Sequence, residues 1–176
     1  MGNFLIGGVS SWSKVVILTS LKFDRYMQLR IPPIVIFLFT ACCMYVLEAL
    51  LPVGYFDFFG RHYLMAALLL LALILGLAAL GQFFRTGTTI DPRKPDRTQV
   101  LETKGVYSFS RNPMYLALLL VLLAWGLWLG NAFNTLLAAG FVSVMNKIQI
   151  IPEEKVLAQK FGKNYAQYCI KVRRWF

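Results

Sequence analysis

Apolar and polar positions in this chain fall into long blocks, not into the short alternation of half-buried strands. Two apolar blocks, residues 31–51 and 63–84, stand out. The first opens on Pro32-Pro33, tolerable in a first helical turn, and carries one charge, Glu48, near its far end. The second contains no charge or strongly polar group between Leu64 and Leu80. Each has about the 20 residues that a helix needs to cross about 30 Å of hydrocarbon. Between them lies a turn rich in aromatics (Tyr55, Phe56, Phe58, Phe59), the composition of a lipid–water boundary. Two shorter apolar segments follow, residues 113–129 and 132–145, joined at Gly130-Asn131; they predict a hairpin that spans a thin bilayer or re-enters it.

The polar blocks divide the rest. Residues 1–30 predict an interfacial segment, with Trp12, Val15, Val16 and Leu18 broken by Ser13 and Lys14; they lack the basic start and cleavage site of a signal peptide. Residues 85–112 form a polar stretch punctuated by Gly87, Pro92 and Pro95, a length typical of functional or disordered loops. In the tail, Pro152 suits a first helical position, and Glu153 and Glu154 suit a first turn, where the helix dipole favours anions. Leu157 and Phe161 share a face, Gly162 breaks the helix, and Tyr165, Tyr168, Cys169 and Val172 resume an apolar face. This predicts a helix–turn–helix lying on the membrane surface. The expected architecture is an all-α integral membrane bundle of about four transmembrane helices. Its parts are an N-terminal segment (1–30), two spans (31–84) and a C-terminal half (85–176) with a short hairpin and amphipathic tail.

Composition agrees with a membrane solvent. The 176 residues are 58% hydrophobic and only 15% charged, against about 25% charged in ordinary soluble domains. Net charge is +10, which fits either nucleic acid or an anionic membrane surface. Hydropathy favours the membrane, and the distribution of Lys and Arg removes the need for nucleic acid. Of the 18, four lie in residues 1–30, six in 85–112 and seven from Lys147 onward, leaving Arg61 in the aromatic turn. The positive-inside rule then puts both termini and the long loop in the cytoplasm. Three cysteines and one histidine, His62, offer neither a disulfide framework nor a metal site. Cys42, Cys43 and Cys169 read as small packing residues, Trp125 and Trp128 as belt residues at the outer interface.

Residues able to do chemistry collect where the hairpin begins and ends. Gly105-Val106-Tyr107 and Arg111-Asn112-Pro113-Met114-Tyr115 precede or open the third apolar segment; Asn146, Lys147, Gln149, Glu153 and Glu154 follow the fourth. A hairpin brings the two groups together as a pocket half in lipid and half in water. Each group also has a plainer reading. Arg111-Asn112-Pro113 is a good helix start, with Asn112 as N-cap and Pro113 at the first position.

These residues, read in order, resemble isoprenylcysteine carboxyl methyltransferases and their prokaryotic relatives among the membrane phospholipid methyltransferases. The resemblance runs from about Thr86 to Phe176, through Gly-Val-Tyr, Arg-Asn-Pro-Met-Tyr and Glu-Glu-x-x-Leu-x-x-x-Phe-Gly-x-x-Tyr-x-x-Tyr. It implies S-adenosylmethionine as cofactor, bound without a glycine-rich nucleotide loop, which this chain lacks. The cofactor positions it implies are Gln99, Val100, Leu101, Tyr107, Asn112, Pro113, Met114, Tyr115, Glu153 and Glu154. Arg111 and Asn112 stand where chemistry is expected, and Gln149 at a substrate position.

A carboxylate and aromatic faces suit the cofactor's sulfonium and ammonium, and Arg111 or Asn112 its carboxylate. No metal is named, and no catalytic base either: a carboxylate acceptor needs none, whereas a protonated amine acceptor does. Two residues depart from the carboxyl methyltransferases: Asn112 stands in place of histidine, and Gln149 in place of an arginine that holds the substrate carboxylate. The implied acceptor is therefore only a lipidic or small amphiphilic molecule, carboxyl or amine, with membrane lipids as surroundings and no required protein partner. The alternatives are a reductase like the membrane sterol reductases, using NADPH, and a non-catalytic lipid-binding protein of the same fold.

Overall fold

The computed structural model describes residues 31–51, 54–86 and 101–176. Five helices carry the described fold: α1 (Pro33–Leu50), α2 (Arg61–Thr86), α3 (Pro113–Leu129), α4 (Asn134–Met145) and α5 (Ile151–Lys171). A 3-10 turn, Gly105–Ser108, precedes α3, and a π-helical turn, Asn146–Ile150, joins α4 to α5. Among the described residues there is no strand beyond one isolated bridge. α1 and α2 match the two long apolar blocks and are long and apolar enough to cross a membrane. α3 is apolar throughout, but its 17 residues reach only about 25 Å.

The hairpin differs from the expected one in its second arm. The fourth apolar segment does not end at Met145: helix continues through the π turn into the tail, giving one apolar run, Asn134–Lys171, that also qualifies as a span. Pro152 explains the irregularity. A proline has no N–H to bond the preceding turn and its ring crowds a carbonyl there, so a regular helix cannot pass through it. The wider π turn just before it takes up that misfit. Glu153 and Glu154 consequently sit on a continuing helix, because the residue before α5 is itself helical (φ −69°, ψ −48°), and the free-terminus dipole reading is corrected. At Gly162 the helix kinks as expected; φ +49° with ψ −119° suits glycine and strains any other residue.

α3 lies in the middle. On one side Ala117 and Leu120 pack against Ala72 of α2, with Leu68 and Leu75 around them. On the other, Tyr115, Leu119 and Leu122 close a core with Ile36 and Met44 of α1 and Ala138, Phe141 and Met145 of α4. Trp125 joins this side: it is partly buried and its indole N–H donates to the Ala41 carbonyl of α1 at 3.2 Å. It is a packing residue within the bundle, which corrects the belt reading; Trp128 is exposed.

At the end far from the tail, the α1–α2 loop and the α3–α4 turn are joined. Phe56 N–H donates to Gly130 O at 2.8 Å and Ala132 N–H to Gly54 O at 3.0 Å, flanking an isolated antiparallel bridge from Tyr55 to Asn131. Buried Asn131 donates to Leu51 O at 3.1 Å and accepts from Phe133 N–H at 2.9 Å. Arg61 is tucked under this loop, beside Asp57 at 3.5 Å and over the Tyr55 ring. The opposite ends of α2, α3 and α4, with all of α5, form the end that holds the polar groups.

Candidate functional site

The loop into α3 is held from two sides. Gly105 takes φ +57°, and a Cβ there would collide with the Gln82 side chain, so glycine is required. That approach lets Gln82, on the last turns of α2, donate to Lys104 O at 3.1 Å and accept from Val106 N–H at 3.3 Å. From the tail side, the Tyr168 hydroxyl donates to Tyr107 O at 2.6 Å. Tyr107 is thereby buried, and burial pushes its phenol above the ordinary value, so it stays neutral. Leu101 packs on the small core that Tyr165, Tyr168 and Val172 make with Leu157 and Phe161.

A carboxylate cluster lies where α3 meets the π turn. Gln149 and Glu153 are four residues apart and share a face; Tyr115 projects from the first turn of α3. Tyr115 Oη donates to Glu153 Oε1 at 2.8 Å, and Gln149 Nε2 donates to the same oxygen at 2.7 Å. Both donors thus converge on one carboxylate oxygen. Gln149 is wholly buried, and its Oε1 has no hydrogen-bond partner among the described residues. A buried acceptor left unpaired is costly, and here it lies next to a carboxylate. The pair is suited to a ligand that brings N–H donors or positive charge.

Beside it is an ion cluster. Glu154 receives Arg111 Nη1 at 3.0 Å and both Arg174 Nε (3.0 Å) and Nη2 (2.7 Å), a two-pronged grip. These bonds raise the Arg174 guanidinium further above its usual range. Arg111 also reaches Cys169 Sγ. Asn112 precedes Pro113 at the start of α3, but its side chain makes no cap bond to the helix; Nδ2 donates to Arg174 O at 3.0 Å instead. The capping expectation is corrected. Ser110 Oγ, donating to Arg174 O at 3.2 Å and accepting from Asn112 N–H at 3.1 Å, takes the place beside it.

Tyr115, Gln149 and Glu153 are thus in direct contact, and Arg111, Asn112 and Glu154 form a second group around the tail. Pro113 is buried at the helix start and Met114 is half-buried beside Tyr115. Gln99 and Val100 lie outside the described residues, as do residues 1–30. Sequence reasoning passed over Ser110, Gln82, Arg174 and Trp175. Of these, Arg174 entered there only in the count of basic residues in the tail. No cluster of metal-ligating side chains occurs among the described residues.

Long apolar helices with a charged and amide-lined cluster at one end define a membrane protein with a polar site at the bundle's edge. The chain belongs to the phospholipid methyltransferase family, whose model matches residues 60–164, from the start of α2 to beyond the Gly162 kink. It is 30% identical over 107 residues to the protein-S-isoprenylcysteine O-methyltransferase of Schizosaccharomyces pombe, a match covering 56% of this chain and 45% of that one. It is 55% identical over 62 residues to an uncharacterized protein of Haemophilus influenzae, covering 35% of this chain and 98% of that one. No solved structure matches the chain.

Proposed function

We propose that this membrane methyltransferase uses S-adenosylmethionine to methylate a lipidic or small amphiphilic acceptor, carboxyl or amine, at the cytoplasmic end of the bundle. The observation that carries the reading is the contact of Tyr115, Gln149 and Glu153, with the Gln149 Oε1 acceptor buried and unpaired beside a carboxylate. That donor-hungry pair fits the cofactor's positive end. When bound, S-adenosylmethionine supplies a methyl group on a cationic sulfur, a group transferred by in-line displacement. Family membership supports the same reaction class.

The chain's own residues have divided tasks. Glu153, fixed by two donors, holds positive charge, and the Tyr115 ring offers a π face beside it. Arg111 is already matched to Glu154, so it adds direction to a bound carboxylate more than net charge. Asn112 is anchored through one amide hydrogen and keeps its carbonyl oxygen for hydrogen bonding. In-line displacement gains chiefly from alignment and from exclusion of water, so rigid placement of these groups is itself catalytic support. The acceptor enters from the bilayer beside α3 and α4. Both chain termini and the loop of residues 85–112 lie on the same, cytoplasmic, side.

Calorimetry on the purified protein tests this. S-adenosylmethionine is expected to bind, and Glu153→Ala to weaken it by about tenfold or more; absence of binding at saturating cofactor ends the proposal. Incubating membranes with methyl-labelled cofactor and extracting lipids then identifies the acceptor. Binding with no labelled lipid points to a retained fold without catalysis, and thermal stabilisation by NADPH in place of S-adenosylmethionine points to reduction.

A further inference from the structure

Three residues at the chain end, Arg173, Arg174 and Trp175, make an unusual number of bonds to the site. Arg173 O accepts from Arg111 N–H at 3.0 Å, and Arg174 O accepts from both Ser110 Oγ and Asn112 Nδ2. The Arg174 guanidinium grips Glu154 on α5. Trp175 Nε1 donates to Asn146 Oδ1 at 3.1 Å in the π turn, and its ring packs on the main core. The backbone here has left the helix: Val172 is extended (φ −125°, ψ 132°). The segment therefore runs as a strap, bonded on one edge to the loop that opens α3 and on the other to the π turn and α5. Those two elements supply Tyr115 on one hand and Gln149 and Glu153 on the other.

We infer that residues 172–175 are a positioning strap, in which Arg174 and Trp175 set the distance between the start of α3 and the π turn. Apart from the strap, the junction is tied by Tyr115 to Glu153, Arg111 to Glu154 and Cys169, and Tyr168 to Tyr107, and the strap adds its bonds to these from both edges. The Ser110–Asn112 backbone and side chains bond to the strap in place of capping α3, so their placement depends on it. Arg174 is a positioning residue, because its charge is satisfied by Glu154 and it acts through Glu154 and Asn112. Lysine cannot replace it, since a point charge lacks the fork that meets both carboxylate oxygens. The functional half of the inference rests on the proposed cofactor reading; the structural half does not.

Two measurements separate them. Hydrogen exchange on the full-length protein in detergent micelles reads the strap without any ligand. In Arg174→Ala, and to a lesser degree in Arg174→Lys, the Arg111 amide and those of residues 149–154 lose protection, while Leu119 to Ala124 in the middle of α3 keep it. Unchanged exchange at Arg111 overturns the strap. Titration with S-adenosylmethionine reads positioning. Arg174→Ala and Trp175→Phe are expected to weaken binding by about tenfold and about threefold, respectively, with the melting temperature shifted little. Faster exchange at Arg111 with wild-type affinity overturns the positioning role. Failure of the wild-type protein to bind cofactor overturns the functional half together with the reading it depends on, and is distinguished because it occurs without any substitution; the exchange data then decide the strap alone.

Discussion

Tyr115 and Glu153 are 38 positions apart and meet at 2.8 Å, so a single hydroxyl reports on the whole junction. Tyr115→Phe removes that donor and keeps the ring. A hydrogen bond to a charged group contributes about 1.5–3 kcal/mol, so cofactor affinity in calorimetry should fall by roughly tenfold or more. Because both act on one carboxylate, Tyr115→Phe and Gln149→Met combined should depart from additivity. Glu154 has a different role, as the counter-charge of two guanidiniums. Glu154→Gln leaves Arg111, whose side chain is 14% exposed, without its anion, whereas Arg174 at 39% is partly relieved by water. We expect a loss of about 2 kcal/mol, seen as a lowered melting temperature in detergent. Tyr115 and Glu153 were legible in the sequence because they stand in ordered motifs. Arg174 was not: its guanidinium works on a residue 20 positions back, and only its carbonyl, invisible in any side-chain pattern, meets Asn112.

Among the elements, apolar length fixed α1 and α2 in advance because a lipid-facing helix needs only composition. The π turn escaped notice for the opposite reason. Its cause, Pro152, looks the same whether it opens a helix or interrupts one, and the choice depends on residues 146–150 staying helical in the packed bundle. Asn112 was ambiguous likewise: a residue fit to cap α3 instead binds the tail, a partner that local sequence cannot show. Gly162 was readable, since few residues tolerate the backbone found there. Nothing lies within 4 Å of the position a Cβ would take, so Gly162→Ala is strained by conformation alone. A cost of about 1–2 kcal/mol is expected. Because the kink turns Tyr165 and Tyr168 onto Leu101, the variant should also speed exchange at Tyr107, beneath the Tyr168 hydroxyl.

On the scale of the whole molecule, α1 is more than an anchor. Ile36 and Met44 sit in the same core as Tyr115 and Met145, so the half of the chain with no recognisable motif supports the half that has them. Sequence showed α1 only as apolar, because packing against a neighbour and facing lipid use the same residues. The bundle also makes a claim about sidedness. The Tyr55–Asn131 bridge joins the α1–α2 loop to the α3–α4 turn, so these two connections lie at one end and the polar cluster at the other. Among the described residues, the far end carries one basic side chain, Arg61, and it is committed to Asp57 and the Tyr55 ring. Positive charge resists translocation, so the cluster's end should face the cytoplasm. Phe59 and Phe176 are both highly exposed and belong to opposite ends, which makes them suitable reporters. With the native cysteines replaced, Phe59→Cys should react with an impermeant maleimide on intact cells, and Phe176→Cys only after the membrane is opened. Labelling of both from one side would contradict the proposed four-pass arrangement, and the reverse pattern would contradict its proposed orientation.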